Sequence, residues 1–313
     1  MEQLITILKT ILPVLALLTV GTLCKRWNIL TQQGVDGIKS LVIKVMLPIV
    51  QFRAFSRIAI GANTLLIAVG VFIVCILGLL AGTLVGKVFR KADPSERFLY
   101  TSYEVGMIGY ALYIVLFGAD KISNFATVAL GQEIFVFLIL LPVMQVSEGK
   151  KPTVRETLLT IVKTPILVAI LAGLLFSVTG LSALIDRSAV GPVIDGVLEF
   201  ASAPTAALML IVIGFGLDFG ELDLRYILRT VLGRASYMAL ACFALVSLLR
   251  VFLPMEPEFF WAFVIFFLLP PSYIIPFFVK PDSVVRKIST YLSIYTVLTI
   301  AAFFGIVVLK TIS

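Results

Sequence analysis

Ten apolar segments of near-spanning length follow one another along the chain. They run at approximately 5–24, 38–57, 64–86, 97–117, 125–146, 160–181, 193–217, 227–249, 258–279 and 288–309. A helix needs about 20 apolar residues to cross a bilayer. The polar stretches between the segments reach only about 15 residues, too few for a soluble domain of about 50 or more. Of the 313 residues, 60% are hydrophobic and 14% charged, against roughly 25% charged in an ordinary soluble domain. A soluble fold of this size could not hide so much apolar surface, because its outside must be wetted. The expectation is an all-α membrane protein with ten transmembrane helices. The first segment starts beside Glu2 instead of a basic cluster and lacks a clear cleavage site, so it reads as a permanent helix and not a leader.

The chain contains no histidine. That removes His-based acid–base catalysis, Ser-His and Cys-His nucleophiles and His proton relays. Cys24, Cys75 and Cys242 each sit in an apolar run, with neither metal-ligand nor disulfide spacing. No phosphate-binding loop, Asp-rich metal motif or metalloprotease helix is present, and an enzyme is not expected. Nor is a cofactor. The net charge of +7 needs no nucleic-acid partner. Loops after the odd-numbered segments hold 17 Lys and Arg, including Lys39, Arg225, Arg229 and Arg234, against 5 on the other side. That bias puts the odd loops in the cytoplasm and both termini outside, in a multi-pass protein of the cell membrane.

The halves look alike. Segments 1–5 (residues 1–148) end in a basic loop at 148–152, and segments 6–10 (155–313) follow. Pro48 centres segment 2, as Pro204 does segment 7. Gly106 and Gly109 interrupt segment 4; Pro270, Pro271 and Pro276 interrupt segment 9. A five-helix unit has an odd number of spans, so its second copy enters the membrane inverted. Helices interrupted at matching places in two halves point to a transporter's binding site.

Two glycines three apart weaken segment 4, and each proline of segment 9 removes an N–H from the helix ladder. Freed backbone groups at membrane depth must line a cavity or bind something. Gly106, Met107, Gly109, Tyr110, Pro270, Pro271, Ser272 and Tyr273 are therefore candidate substrate-binding residues. Glu104 and Glu133 lie deep in apolar sequence, where a charge costs about 2.5–3.5 kcal/mol on insertion scales. They are candidate ion-coupling residues, for H⁺ or Na⁺; the plainer alternative is a hydrogen bond to Ser102, Gln132 or a backbone amide. Arg53 is placed either to bind an anionic substrate bidentately or to snorkel to the outer headgroups beside Arg57.

These residues resemble the auxin efflux carrier family, the bacterial and plant carriers that include malate-permease-like proteins. Leu47-Pro48 with Phe52-Arg53, then Gly106-Met107-Ile108-Gly109 with Phe117-Gly118, Ala203-Pro204 with Gly214-Phe215-Gly216-Leu217, and Pro270-Pro271 carry the likeness. The resemblance implies a scaffold of segments 1, 2, 6 and 7 and a transport domain of segments 3–5 and 8–10, with crossed broken helices 4 and 9. It implies a small organic anion carried by elevator-like alternating access, with the substrate between crossover and scaffold. A homodimer through the scaffold helices is typical of elevator-like carriers. The chain departs from the family where Glu104 replaces the usual asparagine, where Ala111 replaces a proline, and where Ile274 and Ile275 stand in place of another polar residue. A carboxylate at 104 would repel an anion unless protonated or paired. Transport is then proton-linked, or the substrate is neutral, zwitterionic or cationic. A sodium-coupled carrier of the bile-acid type and a membrane sensor that binds ligand without moving it are the rival readings.

Overall fold

The computed structural model describes residues 2–88, 93–147, 149, 153, 163–217, 220, 223–253, 255–279 and 282–312. All regular structure among them is helical. The basic loop at 148–152 and the start of segment 6 lie mostly outside the described residues.

Six helical stretches are long and apolar enough to cross a membrane: Ile7–Arg26, Ala62–Val88, Ala119–Ser147, Gly191–Gly216, Leu224–Phe252 and Ser283–Thr311. They make this a helical membrane protein. The remaining apolar segments form shorter or less apolar pieces, for local reasons. Segment 2 becomes α2 (Gln32–Leu41), a wide π turn (Val42–Met46) and α3 (Leu47–Ser56). Thr31 caps α2 by accepting the Gly34 N–H. The π turn ends two residues before Pro48, whose missing N–H interrupts the ordinary ladder. Segment 4 splits into a 3₁₀ helix (Pro94–Tyr100), an irregular stretch, a π turn (Val105–Gly109) and α5 (Tyr110–Phe117).

Around these lie α1 (Glu2–Arg26), α4 (Ala62–Val88), α6 (Ile122–Phe135) and α7 (Leu141–Ser147). The second half adds α8 (Pro165–Val178), α9 (Leu181–Asp186), α10 (Gly191–Ser202) and α11 (Thr205–Gly216), with Pro204 at the α10–α11 joint. Last come α12 (Leu224–Phe252), α13 (Pro257–Leu268) and α14 (Asp282–Ile312). Between α13 and α14 the described residues are irregular except for one 3₁₀ turn, Ile275–Phe278. There Pro270, Pro271 and Pro276 fall too close together for a helix to continue.

Lipid tails offer no hydrophobic drive for helix pairing, so close backbone approach through small residues does that work. α1 packs along α11 and α8 along α3. A side chain on Gly21 would strike the backbone of Ile211 and Phe215, and one on Gly214 the backbone of Leu18. At the second crossing, a Cβ on Gly173 would meet Phe55 Cβ at 2.9 Å and the Phe52 carbonyl at 3.0 Å. Elsewhere α4 packs against the 3₁₀ helix and α6, and α13 against both α6 and α12. These contacts bring the interruptions of segments 4 and 9 together.

Candidate functional site

The two interrupted segments meet at Glu104. Its N–H donates to the Pro270 carbonyl at 2.8 Å. Its carboxylate reaches both segments: Oε1 accepts the Met107 N–H at 3.3 Å, and Oε2 accepts the Tyr273 N–H at 2.7 Å. Ser102 Oγ accepts the Ser272 N–H at 3.4 Å. The Tyr273 hydroxyl in turn pairs with Thr296 Oγ1 at 2.6 Å. Glu104 is buried. Of the partners open to it on sequence grounds, it takes backbone amides, one of them from the opposite break. These bonds answer a need set by the sequence, since N–H groups leaving a helix at membrane depth cannot be left to lipid.

The break in segment 4 falls ahead of its glycines, at Thr101–Glu104, while Gly106 and Gly109 lie inside the π turn. The two glycines differ. A Cβ at Gly109 would press on the Phe125 ring at 2.6 Å and on Leu269 Cδ1 at 2.9 Å. At Gly106 the nearest atoms stand at 3.6 Å and beyond. Gly109 is thus the contact through which segment 4 lies flush on α6 and on the end of α13. Tyr110 is buried edge-on against Phe125, with ring centroids 5.1 Å apart.

Beside the junction is a cavity of about 270 Å³. Met107, Tyr273, Pro276 and Phe277 come to it from the two interrupted segments, Val212, Ile213 and Phe215 to Leu217 from the end of α11, and Ser289, Leu292 and Ser293 from α14. α2 supplies Gln32, Val35, Asp36 and Lys39. Asp36 and Lys39 are three residues apart on α2 and so share a face. Asp36 Oδ1 accepts the Gln32 amide at 3.1 Å, and Lys39 Nζ stands 5.8 Å from the Phe277 ring centroid. Among the described residues the cavity therefore offers one cation, one carboxylate engaged by the Gln32 amide, and serine and tyrosine hydroxyls on an otherwise apolar wall.

Arg53 is not part of this cavity. It is buried between α3 and α10, where Nη2 lies 3.2 Å from Asp195 Oδ1 and 3.7 Å from Glu199 Oε2, and Nη1 donates to Ser202 Oγ. Arg57 shares the same Asp195 oxygen at 2.6 Å. Both arginines are thereby held to α10. Glu133 is half-buried on α6 and forms no hydrogen bond or ion pair among the described residues, whereas its neighbour Gln132 donates to the Tyr103 carbonyl at 2.8 Å. No group of His, Cys, Asp and Glu able to hold a metal occurs among the described residues.

Three residues of consequence escape a reading of the sequence. Lys39 and Arg234 look like loop charges; Lys39 lines the cavity, and Arg234 is fully buried in α12. Gln51, on α3, is buried with its Oε1 unpaired. An amide following the apolar run at 47–50 was the available signal for Gln51, and the apolar run on both sides of Arg234 was the signal there.

Membrane-length helices around two interrupted segments, with a cavity beside their junction, define a helical membrane protein. Compared with known proteins, the chain matches no family model, and no curated protein is significantly similar to it.

Proposed function

We propose that the chain is a secondary transporter of a small organic acid, proton-linked through Glu104 and working by elevator-like alternating access. The observation that carries this reading is the Glu104 junction, where one protonatable side chain ties both interrupted segments beside a cavity. A carboxylate accepts hydrogen bonds on both oxygens, and a proton on either one would make it a donor and a weaker acceptor, set against the Met107 or the Tyr273 N–H. Taking up a proton therefore weakens one of these two bonds, which couples protonation to the shape of the breaks lining the cavity.

Two further features support the reading. α1 on α11 and α8 on α3 are the same contact if segments 1–5 and 6–10 are inverted copies, and each is closed by glycine. This favours the ten-segment, two-repeat arrangement of the auxin efflux carrier family. Lys39 gives a substrate carboxylate a cation at the cavity wall. The volume of about 270 Å³ falls just below the usual range of ligand pockets, roughly 300–1,000 Å³. It suits an acid of a few carbons and is small for a steroid acid. In this reading α1–α3 and α8–α11 form the scaffold, the cavity lies between scaffold and breaks, and the Lys39 end faces the cytoplasm of a cell-membrane protein.

The test is uptake and counterflow in proteoliposomes with a panel of labelled mono- and dicarboxylates, with and without a pH gradient. Wild-type protein is expected to exchange at least one acid and to concentrate it when the gradient is imposed. Glu104→Gln is expected to exchange without responding to the gradient. Saturable binding with no exchange would overturn transport in favour of a sensor. An unchanged gradient response in Glu104→Gln would remove that residue from coupling.

A further inference from the structure

Arg234 lies in the first half of α12, fully buried. Its guanidinium reaches across to the crossing. Nη1 donates to the Leu99 carbonyl, and Nη2 donates to the Ser102 carbonyl at 2.8 Å and to the Leu269 carbonyl at 3.1 Å. Leu99 belongs to the last turn of the 3₁₀ helix before the first break, Ser102 lies within that break, and Leu269 caps the end of α13 before the second. The guanidinium also stands over the rings of Tyr103 and Tyr295, at 5.2 and 5.3 Å from their centroids. No ion pair joins it to a carboxylate among the described residues.

The chemistry of this place is that of a cation site. A helix ends in unpaired carbonyls that together act as up to about −0.5 of an elementary charge. Two such ends converge here, away from water, and aromatic faces add negative potential. Such a centre has to be neutralised, by an ion from solution or by the protein. We infer that Arg234 is the resident counter-cation of the crossing: it occupies the position a monovalent metal ion would take, so the two breaks assemble without Na⁺ or K⁺. It is a positioning residue, acting on the cavity through the segments it holds. The inference goes beyond the transport reading and stands without it, because what is measured is the cation requirement of the fold.

The experiment is the melting temperature of purified protein in detergent at constant ionic strength. Wild-type protein is expected to melt at the same temperature in Na⁺, K⁺ or choline. Arg234→Ala is expected to be less stable and to regain about 2–4 °C on adding millimolar guanidinium or Na⁺. Tetramethylammonium, which is bulkier and donates no N–H, is expected not to restore it. Saturable stabilisation of the wild type by Na⁺ would overturn the inference, as would a folded Arg234→Ala that responds to all these cations alike. Should Arg234→Ala not fold, Arg234→Lys is expected to give folded protein in clear excess over the uncharged Arg234→Met. Equal yields of those two would overturn it.

Discussion

Single side chains at the junction carry separable jobs, and Gly109 gives the sharpest case. A methyl group there would meet the Phe125 ring and Leu269 at under 3.0 Å. Overpacking of that kind costs about 1–3 kcal/mol. Gly109→Ala is therefore expected to lower the melting temperature in detergent. Gly106→Ala has room and gains helix propensity worth up to about 1 kcal/mol, so it is expected to be neutral or stabilising. A larger loss at 106 than at 109 would contradict this packing. Arg53 poses a different question, since its charge is already met by Asp195 and Glu199. Removing one partner of a buried pair costs about 3–5 kcal/mol, but Asp195 is 35% exposed and shared with Arg57, and water takes up much of the loss. Asp195→Asn is expected to destabilise by about 1–2 kcal/mol while leaving the affinity for a bound acid unchanged. A matching loss of affinity would return Arg53 to the binding site.

At the scale of elements, the interruptions are what the sequence announces most clearly, and their partners are what it hides. Pro270 and Pro271 mark where α13 stops, because a residue without an N–H cannot extend the ladder. Gly106 and Gly109 flag segment 4 correctly but not the site of its break, which falls at Thr101–Glu104, where Ser102 and Glu104 hand their hydrogen bonds to segment 9. That exchange spans about 170 residues of chain and leaves no local trace. Arg234 hides for the same reason. Counting basic residues sorts loops, but the three carbonyls that make burial of Arg234 tolerable come from other elements. Gly21 and Gly214 are readable as small residues, yet only the fold pairs them. Their crossing predicts that Gly21→Leu or Gly214→Leu drives α1 off α11 and depletes the monodisperse peak in size-exclusion chromatography. Gly86→Leu, on α4 with open space beside it, is expected to retain that peak. Equal loss in all three would mean that bulk alone, and not backbone contact, decides.

For the molecule as a whole, the position of the cavity leads to a prediction about motion. Its walls come from two groups of elements, α2 and α11 on one side and the breaks with α14 on the other. The first group is tied to α1; in the second, Glu104 joins the two breaks, and Gly109 and Arg234 hold them to α6 and α12. If the second group slides as a body against the first, the cavity opens to one face of the membrane at a time, and a residue on its wall changes sides. Ser289 is a suitable reporter because it is half-buried on α14 and lines the cavity. Background is low, since Cys24 and Cys75 are buried and Cys242 is half-buried within a membrane-length helix. A charged methanethiosulfonate is therefore expected to label Ser289→Cys from the face that carries Lys39, measured by mass shift in sealed vesicles of known orientation. Imposing a pH gradient with a transported acid present is expected to slow that labelling and to start labelling from the opposite face. Labelling from both faces at once would describe a pore, and a rate indifferent to acid and gradient would describe a fixed pocket. Either result would remove alternating access while leaving the junction of the two breaks intact.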